Sequence, residues 1–359
     1  MRYSPISIIQ PGAVLGRDVT LPGVGVLLRA GAELSAKDIN ILFDYGIHYL
    51  YIDDALTVDA IPQEMILDAT RVHAVDEVYK VLTHYDSLDD KKSNDLKDLV
   101  SIGEKMVEEI CSSKQLKIST NDLRGYDDYT FRHSVNVTAI SLVIGRAMNF
   151  TRKELNELAL AGLLHDIGKM TLAPSILNKK GRLDDFEFSQ IKRHPNWGYE
   201  ILSEKTNTSP RVWAVAMQHH ETLDGGGYPQ GKKLEQIHPW ARIVTIADIW
   251  DALRSERPYK SSWTTTKSIE LLKSEEMKSK LDKKFLAAFL EHVVSYPNGS
   301  LVQLSTREFA VVLEQHENDD QHPIVKVITA PDGHYYSRAE SQIIDLAADK
   351  NCTIQRIVG

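Results

Sequence analysis

Cysteine is scarce in this sequence, with only Cys111 and Cys352 among 359 residues and no CxxC spacing between them. This scarcity disfavours a disulfide framework and a cysteine-ligated metal site, and it is typical of reduced thiols in a cytosolic protein. The N-terminal segment also lacks the apolar core of a secretory signal, and no apolar run approaches the roughly 18 residues of a membrane-spanning helix. We therefore expect a cytoplasmic protein with no membrane partner.

Positively charged residues are also fewer than negatively charged ones. The chain has 42 Lys and Arg and 50 Asp and Glu, which gives a net charge of −8. An acidic chain gives no general reason to expect a nucleic-acid polymer as a partner. The apolar fraction of 42% is that of an ordinary globular protein, and the length allows more than one core. An anionic ligand would have to be bound by local basic residues.

The residue pattern divides the chain into four predicted segments. Residues 1–62 carry short β-type runs between glycine turns and one helix that begins after Ser35, which indicates a small α+β domain, a candidate regulatory one. Residues 63–118 are predicted as a helical linker, and residues 119–296 are almost wholly helical. Alternating apolar residues then predict a β-rich segment over 297–359. The expected fold is mainly α, a helical metal-binding bundle flanked by these two smaller parts.

The helical segment contains the pair His165–Asp166 in AGLLHDIGKM, where Gly168 is expected to release the chain from the preceding helix. An imidazole nitrogen beside a carboxylate oxygen suits divalent iron, manganese or zinc better than calcium or magnesium. A second pair, His219–His220, begins the glycine-rich run HHETLDGGGYP. Two such clusters are more than a single-ion site requires.

Other candidate ligands lie in the same segment. His133 shares the apolar face of its predicted helix, and Asp248 shares a face with Val244; taken singly, each is explained by a buried core histidine or by a helix-terminal salt bridge. Predicted helices over 184–194 and 210–220 end at His194 and at His219–His220, where loops can bring side chains together. Their joint occurrence predicts a metal centre. The candidates are His133, His165, Asp166, His194, His219, His220 and Asp248.

The order of these residues, with HDIGK, HHETLDGGGYP, ADIWDAL and RPYK, resembles the HD-GYP family of bacterial phosphodiesterases within the HD hydrolase superfamily. The resemblance covers residues 119–296, about half of the chain, and implies an HD-type bundle. It implies a centre of two divalent ions, iron or manganese, bridged by Asp166. One ion would be completed by His133, His165 and Asp248, and the other by His194, His219 and His220.

The resemblance also bears on the number of ions. Some family members hold a third ion through a glutamate one helical turn before the position of His133, and here that residue is Tyr129. The nearby Asp128 lies five residues before His133, which puts it about 140° from the His133 face of a helix. We therefore expect two ions.

The resemblance implies that cyclic di-GMP, a bacterial second messenger, is the substrate. A hydroxide shared by the two ions would attack phosphorus, with Lys169 donating to a phosphate oxygen. Arg257 and Lys260, in RPYK, would hold the substrate phosphates; otherwise they are solvated surface charges. A two-ion centre is expected to give mainly the linear dinucleotide pGpG, with GMP more typical of three ions.

Residues around the ligands have supporting roles in this interpretation. Glu221 and Asp251 are expected to orient ligand histidines through hydrogen bonds. Glycines in GGGYP allow positive φ or a close backbone approach, and the loop shapes the wall of the site or merely supports the histidine pair. The resemblance implies that the loop also offers a protein-binding surface, with Tyr228 structural; a homodimer is left open. The loop residues are Gly225, Gly227, Tyr228 and Pro229.

Three alternatives remain open. The first is an HD hydrolase acting on nucleoside phosphates, against which the GYP run argues, or on another cyclic dinucleotide. The second is a catalytically weak receptor for cyclic dinucleotides, against which the presence of every ligand-type residue argues. The third is a protein whose histidines are core residues and bind no metal.

Overall fold

The computed structural model describes residues 1–21, 24–62, 64–88, 95–113, 116–118, 129–179, 181–255, 263–316, 319 and 321–358. The chain forms two units, one from Met1–Glu64 with Val294–Gly359 and the other from Met65–Ile118 with Asp128–Val293. Arg257 and Lys260 lie outside the described residues, as does Asp128. In the part of the chain that is described, no helix is long and apolar enough to cross a membrane.

The first unit joins the two ends of the chain. Its elements are β1 (Arg2–Pro5), β2 (Val14–Leu15), β3 (Val19–Leu21), β4 (Gly25–Leu28), α1 (Ala36–Asp44), β5 (Tyr49–Asp53), β6 (Leu301–Leu304), β7 (Phe309–Glu314), β8 (Ile324–Val327), β9 (Ile343–Asp345) and β10 (Ile354–Ile357). The strands pair antiparallel in the orders β1-β5-β2, β3-β4 and β10-β6-β7-β8-β9. Tyr3 N donates to Gly299 O at 2.8 Å, and Lys326 Nζ donates to Asp59 Oδ2 at 2.9 Å.

Local sequence accounts for α1, the one α-helix described in this unit. Ser35 caps α1 as predicted, since its side chain accepts a hydrogen bond from Asp38 N while the Asp38 carboxylate accepts from Ser35 N. The N-terminal sheets and α1 enclose a core that includes Leu15, Leu42 and Ile52. The predicted α+β character of the N-terminal part and β-rich character of the C-terminal part are confirmed.

The second unit is helical, which confirms the predicted fold class. The helices are α2 (Asp68–Thr83), α3 (Asp95–Ser112), α4 (Tyr129–Ala147), α5 (Arg152–Leu164), α6 (Pro174–Leu177), α7 (Asp185–Ile191), α8 (His194–Lys205), α9 (Pro210–Gln218), α10 (Pro239–Arg254), α11 (Thr265–Lys273), α12 (Glu275–Lys278) and α13 (Lys283–His292). Helices α4, α5 and α10 contribute much of the fully buried core of this unit, and α2 and α3 pack against α4 and α5.

One predicted helix is wrong. The helix expected over 184–194 ends at Ile191 as α7, and His194 begins α8 instead of closing its predecessor. Pro195 explains the difference, because proline lacks an N–H and is tolerated in the first turn of a helix, where that N–H has no acceptor. His194 is thus the first residue of α8 and not the last residue of α7.

Candidate metal centre

The structure brings all seven predicted ligands into two neighbouring groups in the helical unit. Within each group, one nitrogen or oxygen atom from every side chain lies within 4.8 Å of the others. Metal binding by these residues stays a prediction, but the clustering is a feature of the fold. The groups are Asp166 with His194, His219 and His220, and His133 with His165 and Asp248.

Several elements supply these side chains. His133 and Asp248 lie within α4 and α10, whereas His165 is the cap residue at the end of α5. Asp166 follows it and precedes a short 3-10 helix, Ile167–Thr171. His219 caps the end of α9, as the sequence predicted. The centre is therefore assembled from residues far apart in the chain.

Gly168 has a different role from the predicted release of the chain. A Cβ atom at this position would overlap the carbonyl oxygen of His194 and lie 2.5 Å from the backbone nitrogen of Gly198. Only glycine therefore lets the turn after His165–Asp166 lie against the first turn of α8. This contact brings Asp166 and His194 together.

Asp166 lies between the two groups. Its Oδ2 is 3.4 Å from Nε2 of His165 and 3.6 Å from Nε2 of His133. Its Oδ1 is 3.3 Å from Nε2 of His194 and 3.6 Å from Nε2 of His219. Each carboxylate oxygen thus faces a different set of imidazoles, which is the arrangement that a bridging carboxylate requires.

Backbone carbonyls orient three of the histidine rings. Nδ1 of His165 lies 2.7 Å from Gly162 O, Nδ1 of His194 lies 2.7 Å from Ile191 O, and Nδ1 of His219 lies 3.0 Å from Ala216 O. Since a carbonyl oxygen only accepts, Nδ1 carries the proton in each case. The lone pair of Nε2 is left facing Asp166, as metal ligation would need.

A divalent cation fits this donor set. Oδ1 of Asp166 and Nε2 of His165 are buried and have no hydrogen-bond partner among the described residues. A buried polar atom without a partner costs about 1–3 kcal/mol, and a cation between the groups would satisfy both atoms. Imidazole nitrogens with carboxylate oxygens match iron, manganese or zinc.

The carboxylates are held in their charged form. Burial by itself raises the pKa of Asp166, but the Lys169 ammonium and His165 hold that pKa well below its usual value. Burial likewise opposes ionisation of Asp248, yet contacts with His133 and His220 lower its pKa. Both side chains are therefore available as anionic ligands at neutral pH.

The pKa values of four imidazoles in the centre are shifted, three of them downwards and one upwards. Burial lowers the pKa of His194, His219 and His220, so these rings are neutral near pH 7. Burial has the same effect on His133, but hydrogen bonds to Asp248 and Asp251 outweigh it and raise its pKa to about 9. His133 is thus the ring that carries an extra proton in the metal-free protein.

Asp251 contacts a candidate ligand histidine. Its Oδ2 lies 2.7 Å from Nδ1 of His133, and its Oδ1 accepts a hydrogen bond of 2.9 Å from Asn136 Nδ2. Asn136 was not a predicted site residue. It lies three residues after His133 on the same face of α4, and that spacing was the only signal that could have found it.

The predicted role of Glu221 is wrong. Its carboxylate accepts hydrogen bonds from the backbone N–H groups of Gln230, at 2.7 Å, and Lys232, at 2.9 Å, and neither bond involves a histidine ring. Glu221 is buried and directly follows His219–His220. It therefore holds the backbone that follows GGGYP, at Gln230 and Lys232, beside the histidine pair.

The loop itself packs on the centre. The Tyr228 ring stacks on the His220 ring, with centroids 4.7 Å apart, and the Tyr228–Pro229 peptide is cis. Gly225 has a φ of +82°, and a Cβ on Gly227 would lie 2.5 Å from His220 O. Both predicted reasons for glycine, positive φ and close approach, are thus met in this loop.

The centre is open on one side. The side chains of His165, His194 and His219 are 0% exposed, whereas those of His220, Lys169 and Asp248 are 22%, 20% and 12% exposed. Lys169 Nζ donates to Asp166 Oδ2 at 2.6 Å on this side. Among the described residues of the centre, these three side chains are the most exposed, and a ligand from solvent would approach past them.

The fold and the site together define a helical protein with a buried histidine–aspartate centre of the HD class. The chain belongs to the HD domain family, whose model matches residues 104–285, and its motifs are those of the HD-GYP type. A second model, a KOW domain associated with HD domains, matches residues 301–359.

Curated relatives share the central part of the chain. It is similar to the cyclic di-GMP phosphodiesterase PA4108 of Pseudomonas aeruginosa, with 41% identity over 205 residues, 57% of this chain and 49% of that protein. It is also similar to the 3'3'-cGAMP-specific phosphodiesterase 3 of Vibrio cholerae, with 36% identity over 160 residues, 45% of this chain and 34% of that protein. The matches thus span about half and about a third of these relatives.

A solved structure shares the fold. Bd1817, an HDG"Y"P protein from Bdellovibrio bacteriovorus, superposes with a TM-score of 0.55 at 17% identity. The match covers 80% of this chain and 97% of that one. At this identity the likeness concerns the fold.

Proposed function

We propose that this protein is a metal-dependent phosphodiesterase that hydrolyses cyclic di-GMP, mainly to linear pGpG, at a centre of two divalent ions. The observation that carries the proposal is the position of Asp166, whose two carboxylate oxygens face different histidine groups. The similarity to a cyclic di-GMP phosphodiesterase, 41% identical over 205 residues, supports the substrate.

The residues that would hold the ions follow from the two groups. His133, His165 and Asp248 would hold one ion, His194, His219 and His220 the other, and Asp166 both. Iron or manganese is the pair that the HD-GYP resemblance implies, and the combination of imidazole and carboxylate ligands is compatible with both. Divalent ions in such a site act as Lewis acids, which activate water for attack on phosphorus and offset charge on the phosphoryl oxygens.

The chain's own groups would bind and orient the substrate on the open side. Lys169 Nζ lies beside Asp166 Oδ2 and is partly exposed, so its remaining N–H groups can donate to a phosphate oxygen. Arg257 and Lys260 would hold the substrate phosphates, as the RPYK motif predicts. The buried rings behind Asp166 exclude bulk water, which strengthens the interaction of these cations with phosphate.

The expected product is inferred from Tyr129, the first residue of α4. Tyr129 begins this helix one turn before His133, at the position where a third-ion glutamate would stand. A phenol is a poor replacement for a carboxylate ligand at neutral pH. We therefore propose that the reaction stops mainly at pGpG, the product of opening one phosphodiester.

The decisive experiment measures turnover. Protein purified anaerobically and loaded with Fe(II) or Mn(II) is incubated with cyclic di-GMP, and the products are separated by chromatography. The proposal predicts pGpG as the main product and two equivalents of metal by elemental analysis. Binding of cyclic di-GMP without any pGpG or GMP would instead favour the receptor alternative.

A variant tests the bridging role. Asp166→Ala is expected to lose both ions and all turnover, because each ion would lose an anionic ligand. Full metal occupancy in this variant would contradict the bridge. Asp185→Ala, which removes an exposed aspartate from the first turn of α7, is the matched control and should keep both ions.

A second substrate has support of its own. The similarity to a 3'3'-cGAMP-specific phosphodiesterase, 36% identical over 160 residues, makes the mixed cyclic dinucleotide a candidate. The same assay run with equal concentrations of both dinucleotides would decide between them through kcat/KM. A cytoplasmic location, a regulatory N-terminal part, a protein partner at the GGGYP loop and a homodimer stay predictions.

A further inference from the structure

The open side of the centre has a neighbouring surface that the function proposed above does not use. His220, the most exposed of the candidate ligands, is covered on one face by the stacked ring of Tyr228. The Tyr228 ring also lies 6.5 Å from the His194 ring, centroid to centroid. Whatever lies over Tyr228 therefore adjoins the path by which a ligand reaches the centre.

The Lys192 ammonium lies over Tyr228 and also over a second aromatic ring, that of Phe188. The Lys192 ammonium is 5.5 Å from the centroid of the Tyr228 ring and 4.7 Å from the centroid of the Phe188 ring. Phe188 lies four residues before Lys192, so both side chains project from one face at the end of α7. We call Phe188, Lys192 and Tyr228 the rim cluster.

The lysine of the rim cluster is available to an anion. Lys192 is exposed, and among the described residues no carboxylate lies within ion-pair distance of its ammonium. This differs from Lys169 and Lys179, which contact Asp166 and Glu187. The two aromatic rings restrict the ammonium through cation–π contacts, so less conformational entropy is lost when it binds a ligand.

The aromatic rings of the rim cluster offer a complementary surface. Phe188 remains 46% exposed, so part of its ring is accessible to a planar ligand. A planar base can stack on such a face, and stacking of this kind contributes about 1–3 kcal/mol per base. The cluster thus combines a cation that can bind a phosphate with an aromatic ring that can stack on a base.

We propose that the rim cluster is a binding subsite for the half of a cyclic dinucleotide that lies away from the phosphodiester being cleaved. Lys192 binds its second phosphate, and the exposed face of Phe188 stacks on its base. The subsite deepens the function proposed above and rests on it. It explains how the protein would select a cyclic dinucleotide over a small phosphodiester, since only the larger ligand spans both the centre and the rim cluster.

The experiment compares two substrates on metal-loaded protein. Cyclic di-GMP is expected to contact the centre and the rim cluster, whereas bis(p-nitrophenyl) phosphate has no second phosphate for Lys192 and no purine base for Phe188. Lys192→Met, which keeps most of the side-chain stem, should raise KM for cyclic di-GMP about fivefold, the effect of one partly solvated ion pair. Phe188→Ala should raise it about tenfold through lost stacking. KM for the small substrate should change less than twofold in both variants.

Matched controls come from the same unit. Lys205→Met removes a lysine that also lies over a tyrosine ring, Tyr85, at 5.8 Å, but at the opposite end of α8 from His194. Phe186→Ala removes a ring of α7 that is 69% exposed and projects from a different face from Phe188. Both controls should keep the KM of the wild-type protein for cyclic di-GMP.

The outcomes separate the subsite from the proposed function. An unchanged KM for cyclic di-GMP in both rim variants, or an equal rise for both substrates, would overturn the subsite while leaving the phosphodiesterase in place. If the wild-type protein cleaves neither substrate, the proposed function fails, and the subsite is then decided by calorimetric titration with cyclic di-GMP. Weaker binding by Lys192→Met and Phe188→Ala than by the controls supports it, and equal binding or no binding by wild type overturns it.

Discussion

Oδ2 of Asp251 lies 2.7 Å from Nδ1 of His133, and both side chains are buried between α4 and α10. The other oxygen of Asp251 accepts a hydrogen bond from Asn136, which leaves the carboxylate without freedom to turn. Asp251 therefore fixes the ring plane of His133 and directs its Nε2 towards Asp248, 3.1 Å away. Asp251, which is not one of the candidate ligands, thus controls the geometry of one group of candidate ligands.

Asp251→Asn should weaken metal binding without unfolding the protein. An asparagine has an acceptor on only one side of its amide, so either His133 or Asn136 loses its partner. Loss of such an outer contact typically lowers metal affinity by about 10–100-fold. Calorimetric titration of metal-free protein with Mn(II) measures this change, and circular dichroism checks the fold. Asp185→Asn, an exposed change on α7, is the control, and equal affinity in the two variants would refute the role of Asp251.

Metal binding should release a proton from His133. Its pKa is raised to about 9, so between pH 6.5 and 9 the folded metal-free protein holds a proton that the unfolded chain has lost. A ligand nitrogen must be unprotonated, and loading at pH 7.5 therefore displaces about one proton. Titration calorimetry in buffers of different ionisation enthalpy measures this number, which should fall towards zero above pH 9. A proton count independent of pH across that range would contradict the assignment.

The raised pKa of His133 also predicts how the free energy of unfolding of the metal-free protein changes with pH. Because protonated His133 is favoured by folding, its contribution is fully present below pH 6.5 and is lost as the pH rises through about 9. Metal-free protein should thus lose stability over this range. Chemical unfolding at a series of pH values measures the loss.

Gly168→Ala should destabilise the helical unit and disturb the His194 group. The added Cβ would meet the backbone of His194 and Gly198, which cannot rotate away as a side chain can. Overpacking of this kind costs about 1–3 kcal/mol. Denaturant unfolding should report this loss, accompanied by weaker metal binding. Gly103→Ala is the control, since its nearest atoms lie at an ordinary 3.5 Å and alanine favours the helix.

Glu221→Gln should loosen the GGGYP loop. The carboxylate accepts from two backbone N–H groups, of Gln230 and Lys232, and a glutamine would turn an N–H₂ group towards one of them. A buried donor without a partner costs about 1–3 kcal/mol, so both amides should exchange with solvent faster. Hydrogen exchange measured on peptides covering 228–233 tests this, with Glu235→Gln as an exposed control. Unchanged exchange would show that Glu221 does not hold the loop.

The sequence was informative wherever residue type alone carries the chemistry. Imidazoles and carboxylates on apolar helical faces are costly to bury unless paired, so His133 and Asp248 stand out from the residue pattern alone. Capping residues such as Ser35 were equally predictable, because an N-cap is a contact within one turn. The alternation of apolar residues likewise predicted the C-terminal strands.

Predictions failed where two local explanations compete. Pro195 is compatible with a helix that has just ended and with one that has just begun, and the sequence does not choose between them. Glu221 follows two histidines, yet its partners lie nine and eleven residues further along the chain. Residues near the N-terminus also form one unit with the C-terminal sheet. This depends on contacts between residues that are far apart in the chain.

The candidate ligand types, the helical class and the capping of individual helices follow from residue types and near neighbours, because they depend on side-chain chemistry and on contacts within one or two turns. Long-range packing, in contrast, sets each oxygen of Asp166 towards a different histidine group. It also decided that Gly168 permits this approach and that one side of the centre stays open. These are distances between residues remote in the chain, and they are set by packing of the whole helical unit.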